Sequence, residues 1–202
     1  MKRRLAIIAG LILAACGGNA STKEVLRYDL GGVVARSGSA VSRVPLAMVD
    51  VEAASWLGVP DMHFRLAYAE PLQRRSYSES RWAAPPAELL EAFLKRRVVF
   101  GPAESGGAGC RLQVALDELE QRFDDPQGSR LVLEVRAQLS AARGAEILSR
   151  KSFLIQKPAA SPDARGGAGA ARDAVHALAD DIERWLAELS RDRPAVAGRC
   201  RS

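Results

Sequence analysis

Three cations, Lys2, Arg3 and Arg4, open the chain and are followed by eleven uncharged residues, Leu5 to Ala15, and then by Cys16. As a helix, eleven residues extend only about 16 Å at 1.5 Å per residue. That is far short of the roughly 30 Å hydrocarbon core of a bilayer. A basic stub, a short apolar stretch and small residues at its end form an export signal, held with the basic end in the cytoplasm. What folds is therefore the chain that follows, and it folds in an oxidising compartment.

The end of this segment, Leu13-Ala14-Ala15-Cys16, resembles the bacterial lipobox. The resemblance implies cleavage between Ala15 and Cys16 and a covalent lipid on Cys16, with diacylglycerol on the sulfur and a further acyl chain such as palmitate on the freed amine. Two or more acyl chains anchor stably where a single one is marginal, at about 0.8 kcal/mol per buried methylene. Gly17 stands where Asp commonly marks retention in the inner membrane, so the resemblance points to the outer membrane, facing the periplasm. The expected organisation is a signal at 1–15, a lipidated N-terminus and tether at 16–24, a domain at 25–190 and a polar C-terminal tail at 191–202.

Within 202 residues there is room for one ordinary domain with appendages. Without the signal the chain carries 26 basic and 24 acidic residues. So small a surplus argues against a polyanion partner, and basic residues lack the aromatic companions of a nucleic-acid platform. Once Cys16 is assigned, Cys110 and Cys200 remain as an even pair, and we expect a disulfide between them. The alternative is two free thiols, with Cys200 in a loose tail.

Val25 to Leu30 and Leu46 to Val51 read as strands, with a polar loop at 36–42 between them. Met62, Phe64, Leu66 and Tyr68 alternate with His63, Arg65 and Ala67, the period of a strand with one core face. Gln73 to Trp82 is expected to pair back on it. Pro85-Pro86 then starts a helix with Leu89, Leu90, Phe93 and Leu94 as its buried stripe. Glu91 and Lys95 are spaced as an i to i+4 pair, and Lys95, Arg96 and Arg97 suit the negative end of the helix dipole.

Cys110, Leu112, Val114 and Leu116 share one face of a fifth strand, whereas Leu119 and Phe123 fall on the opposite parity. That strand must contain a bulge or switch faces near Asp117. Asp124 to Gly128 is a turn into the strand of Leu131, Leu133, Val135, Ala137 and Leu139, and Glu146 to Ile155 supplies a further one. Residues 161–169 are expected to be flexible. Ala171, Val175, Leu178, Ile182, Trp185, Leu186 and Leu189 then form a long amphipathic helix. The order predicts an α+β fold, a largely antiparallel sheet of six to seven strands with two main helices packed on it.

Catalytic motifs are missing. His63 and His176 are the only histidines, neither with a recognisable nucleophile. No metal-ligand spacing is present, and Asp180, Asp181 and Glu183 read as the wet face of a helix. Gly106 to Gly109 and Gly166 to Gly169 lack the Gly-Lys-Ser/Thr ending of a phosphate cradle, and loop flexibility explains them. No enzyme, no metal and no cofactor beyond the covalent lipid on Cys16 is expected.

With the lipobox, Tyr28-Asp29-Leu30-Gly31, the run Tyr77 to Pro86, Leu116 to Phe123 and Trp185-Leu186, the chain resembles the ABC-type transport auxiliary lipoprotein family, which includes the paraquat-inducible intermembrane-transport lipoprotein. The resemblance covers residues 26 to 189. It implies a non-catalytic, outer-membrane-anchored component that works with an ABC transporter permease and ATPase. It would dock a periplasmic MCE-domain protein that carries lipids between the membranes. Self-association is compatible with that role.

Tyr77, Arg81 and Trp82 are residue types enriched at interface hot spots and form the candidate partner interface, with core packing as their other reading. A lipoprotein of different class, such as a secretin pilot or a lipopolysaccharide-export factor, would share the anchor and a small α+β domain.

Overall fold

The computed structural model describes residues 24–32, 44–98, 109–141 and 146–200. Strands β1 (Leu26–Tyr28), β2 (Leu46–Ala53), β3 (Asp61–Leu66) and β4 (Arg75–Trp82) precede helix α1 (Pro86–Arg97). Strands β5 (Cys110–Phe123), β6 (Ser129–Ser140) and β7 (Ile147–Pro158) follow, then α2 (Ala164–Asp192) and α3 (Pro194–Arg199). The predicted α+β architecture is present: a seven-stranded mixed, mostly antiparallel sheet with two main helices against one face. Cys16 and its cleavage partner Ala15 lie outside the described residues, as do Gly106 and Gly107 of the first glycine-rich loop.

Strand β5 is the axis of the sheet. From Arg111 to Phe123 it pairs with β6, antiparallel and with one irregularity, and β6 pairs likewise with β7. On its other edge β2 runs parallel beside Cys110 to Leu116, and β3 parallel beside Gln121 to Phe123. The sheet is thus more mixed than the sequence suggests. The excursion through the 3-10 turn Ser55–Leu57 lets the chain resume in the same direction instead of reversing.

The break between β2 and β3 falls where β5 itself is irregular. Leu116 opposes Val135 and Glu118 opposes Glu134, which leaves Asp117 as an extra residue, a β-bulge. The bulge resolves the parity change: Leu112, Val114 and Leu116 before it, and Leu119 and Phe123 after it, are all buried. The carboxylate of Asp117 accepts two hydrogen bonds from Arg136, at 2.6 and 2.7 Å. These bonds hold its pKa below the ordinary value.

Helix α1 has proline in its first turn and buries Leu90, Phe93 and Leu94. Lys95 donates to Glu91 at 2.5 Å, and the other Glu91 oxygen accepts from the backbone N–H of Val51, tying α1 to β2. Asp180 and Glu183 are not simply a wet face. They meet the buried side chain of Arg97 across the α1–α2 contact, at 2.8 and 2.5 Å.

Residues 161–169 also depart from expectation, because α2 begins at Ala164 with Asp163 as its N-cap, accepting from the N–H of Gly166 at 2.8 Å. Gly166 and Gly167 permit close approach here. A Cβ on Gly166 would lie 2.0 Å from the Ser161 carbonyl oxygen, and one on Gly167 2.1 Å from Oε1 of Gln121.

The expected polar tail folds back as α3, which buries Val196 and Ala197 and is pinned by a disulfide between Cys110 and Cys200. Both cysteines are fully buried. The bridge closes a sequence separation of 90 residues. In the chain-entropy model such a loop gives on the order of 4 to 5 kcal/mol, as an upper figure.

Candidate functional site

The three side chains expected at a partner interface lie together on β4, and each is engaged by the domain itself. Trp82 is 2% exposed and belongs to the hydrophobic core. Its backbone N–H donates to Pro60 O at 2.8 Å. This is the core-packing reading of Trp82: a large ring between the sheet and its covering layer is stabilised by leaving water.

Tyr77 is half-buried, its ring 4.7 Å from Phe64 and its hydroxyl donating to Oε1 of Gln121 at 2.9 Å. Burial, with Asp163 nearby, raises its phenol pKa well above the ordinary value. Buried Gln121 donates in turn to Ser129 Oγ at 2.8 Å. This relay, with Gly167 against Gln121, seats the first turn of α2 on the sheet. Arg81 pairs with Asp61 at 3.0 Å and donates to the carbonyls of Ser80 and Tyr77.

A different surface emerges on the sheet face opposite the helices. Register places Asp50, Gln113, Gln138 and Arg150 in one row across β2, β5, β6 and β7. Arg150 Nε donates to Gln138 Oε1 and Gln138 Nε2 donates to Gln113 Oε1, both at 3.0 Å. The next row holds Glu52, Ala115, Arg136 and Ser152. Between these rows lies a shallow groove of about 300 Å³.

Beyond the bulge the same face becomes a layer of ion pairs. Arg74 grips Glu118 with two hydrogen bonds, 2.7 and 2.5 Å, and Arg65 Nε donates to Glu120 at 2.9 Å. Glu118 and nearby Glu120 raise the pKa of Arg74 further, against the opposing effect of burial. Trp56 covers this layer, its ring centroid 5.5 Å from the guanidinium carbon of Arg74, a cation–π arrangement. It remains about half exposed. His63 ties the Trp56 carbonyl to Ser76 through its two ring nitrogens, at 3.0 and 3.1 Å.

Among the described residues no cluster of His, Cys, Asp or Glu has the arrangement to hold a metal ion. What this face offers is an ordered set of donors and acceptors beside the exposed side chains of Met48, Trp56 and Leu154, suited to recognising another surface. The residues were visible as the polar parity of the strands, but their assembly into rows depends on inter-strand register.

Comparison with known proteins places this geometry in context. The family model described as "ABC-type transport auxiliary lipoprotein component" matches residues 28–183. The crystal structure of a Xanthomonas campestris protein assigned to the family DUF330 superposes with a TM-score of 0.67 at 18% identity, covering 85% of this chain and 99% of that one. A second crystal structure, of an uncharacterized protein, gives 0.61 at 13% identity over 81% and 99% of the two chains. At these identities the likeness is one of fold. Comparison with curated proteins returns no match.

Proposed function

Because the chain belongs to the ABC-type transport auxiliary lipoprotein family, and is thereby a membrane-anchored envelope component of ABC-type transport, we propose that it is the outer-membrane docking element of an intermembrane lipid transport system. Its covalent lipid is carried by Cys16, its tether spans 16–24, and its folded domain contacts a periplasmic MCE-domain protein served by an ABC permease and ATPase. It acts by contact rather than catalysis, in the manner of the paraquat-inducible lipoprotein it resembles.

One observation supports the reading: on the face of β2, β5, β6 and β7 away from the helices, Gln113, Gln138 and Arg150 are joined by cross-strand hydrogen bonds and Arg136 is held by Asp117, beside the exposed apolar side chains of Met48 and Leu154. Preordered side chains lose little rotamer freedom on association, which favours recognition of a matching surface.

A photo-crosslinking amino acid at position 150, in the lipoprotein co-expressed with the MCE-domain protein, permease and ATPase of the same cell, tests this. We expect a cross-link to the MCE-domain protein from position 150 and none from position 184 on the solvent side of α2. Cross-linking from 184 and not from 150 would refute the assignment of the face. In parallel, metabolic labelling with palmitate should mark the wild type and not Cys16→Ser, and membrane fractionation should place the product in the outer membrane.

A further inference from the structure

Val25, just before β1, and Leu72, the most exposed large apolar side chain among the described residues, lie toward the same end of the sheet. Strand β1 runs parallel to β4 with Leu26 opposite Ser80, so the N-terminal end of β1 is the one toward Arg75, where β4 begins. That end is formed by the β3–β4 hairpin loop, residues 67–74, beside the β5–β6 turn and the N-terminus of α2. In this loop Leu72 is 95% exposed and Tyr68 about half exposed. Val25 and Leu26, where the chain reaches β1, are similarly exposed.

A single exposed leucine is ordinary, but this one is held in place. The N–H groups of Ala69 and Glu70 donate to Leu66 O at 3.1 and 2.7 Å, and Gln73 N–H donates to Glu70 O at 3.1 Å. From beneath, Arg65 donates to Pro71 O at 3.0 Å and Arg75 to Gln73 Oε1 at 2.6 Å. Glu70 is paired with Arg75 at 3.6 Å, so the loop holds no uncompensated carboxylate beside Leu72.

The distances suit a shared surface. Nine residues, 17–25, lie between Cys16 and Leu26, ten steps along the backbone with a reach of at most about 33 to 36 Å. Leu26 stands level with Ser80, five residues from the start of β4, or roughly 17 Å along a strand. An anchor on Cys16 and the hairpin apex can therefore meet one bilayer.

We propose that the β3–β4 hairpin is a membrane-contact element, with Leu72 entering the bilayer interface and Tyr68 at headgroup level. The preference of tyrosine for that boundary follows from its apolar ring and polar tip. The domain then stands on its hairpin end, and the polar sheet face is held upright, accessible from the side. This rests on the reading of Cys16 as the anchor, since only a tether there brings the hairpin to the bilayer.

The test couples the chain from Cys16 onward, with the Cys110–Cys200 disulfide intact, through the Cys16 thiol to maleimide lipid in phosphatidylcholine vesicles. It compares amide hydrogen exchange on and off the vesicle. Exchange across 67–74 should slow several-fold on the vesicle, stay unchanged at 146–149 at the opposite end, and return to the free rate in Leu72→Asp. Equal rates at 67–74 on and off the vesicle would overturn the proposal. Chemical coupling makes this result independent of acylation in the cell, so failure of palmitate labelling is a separate outcome.

Discussion

Arg97 at the end of α1 lies 2.8 Å from Asp180 and 2.5 Å from Glu183 on α2, its side chain only 5% exposed. The two helices share this cation where they meet, each packed on the sheet by its own apolar stripe. A buried guanidinium without partners would be costly, and two partly exposed carboxylates supply both. We expect Arg97→Ala to lower stability by about 2 to 4 kcal/mol in chemical denaturation. Arg97→Lys, which keeps the charge but not the fork, should recover only part of it.

Trp82→Ala should destabilise the domain by about 3 to 5 kcal/mol, as removal of a fully buried aromatic does. Thermal melting monitored by circular dichroism checks this. An unchanged melting temperature with lost partner binding would return Trp82 to the interface.

Loss of the disulfide frees α3 and relaxes the unfolded-state constraint between β5 and the C-terminus. Cys110→Ser with Cys200→Ser should cost about 2 to 5 kcal/mol. Unreduced native chain should titrate no free thiol from this pair.

Gly167→Ala forces a methyl group against Oε1 of Gln121 and should cost about 1 to 3 kcal/mol by overpacking. Combining it with Gln121→Ala should cost less than the sum of the single changes, because the clash and the Tyr77 hydrogen bond are removed together. A double-mutant cycle in urea measures the coupling.

Asp163 caps α2, and its pKa is lowered chiefly by the N–H of Gly166 and then by the Ser161 hydroxyl. A carboxylate depressed in the folded state contributes stability that is complete above its unfolded value, near 3.8, and is lost as the pH falls through the folded one. Asp163→Ala should therefore be less stable than wild type by about 0.5 to 2 kcal/mol at pH 7. The difference should shrink steadily below about pH 4.

Local pattern was readable wherever one side of an element meets the core. Alternation marked β3, β5 and β6, the proline pair marked the start of α1, and the three-and-four spacing marked α2, because burying one face imposes a period on the chain. The parity change at Asp117 likewise announced a disruption in β5, and the even pair of cysteines announced a bridge.

Pairing across space was not readable. That β2 and β3 both run parallel to β5, that Asp180 and Glu183 face Arg97, and that Gly166 and Gly167 serve close packing all depend on which elements are neighbours. Trp82 shows the same limit, since a tryptophan in a strand suits a core and an interface equally until its surroundings exist. The sequence by itself determined the succession of elements and their apolar faces, since these depend on residues adjacent along the chain. Only the tertiary structure decided strand register, the ion pair between the helices and the polar rows of the open face, since each joins residues tens of positions apart through contacts that exist only after folding.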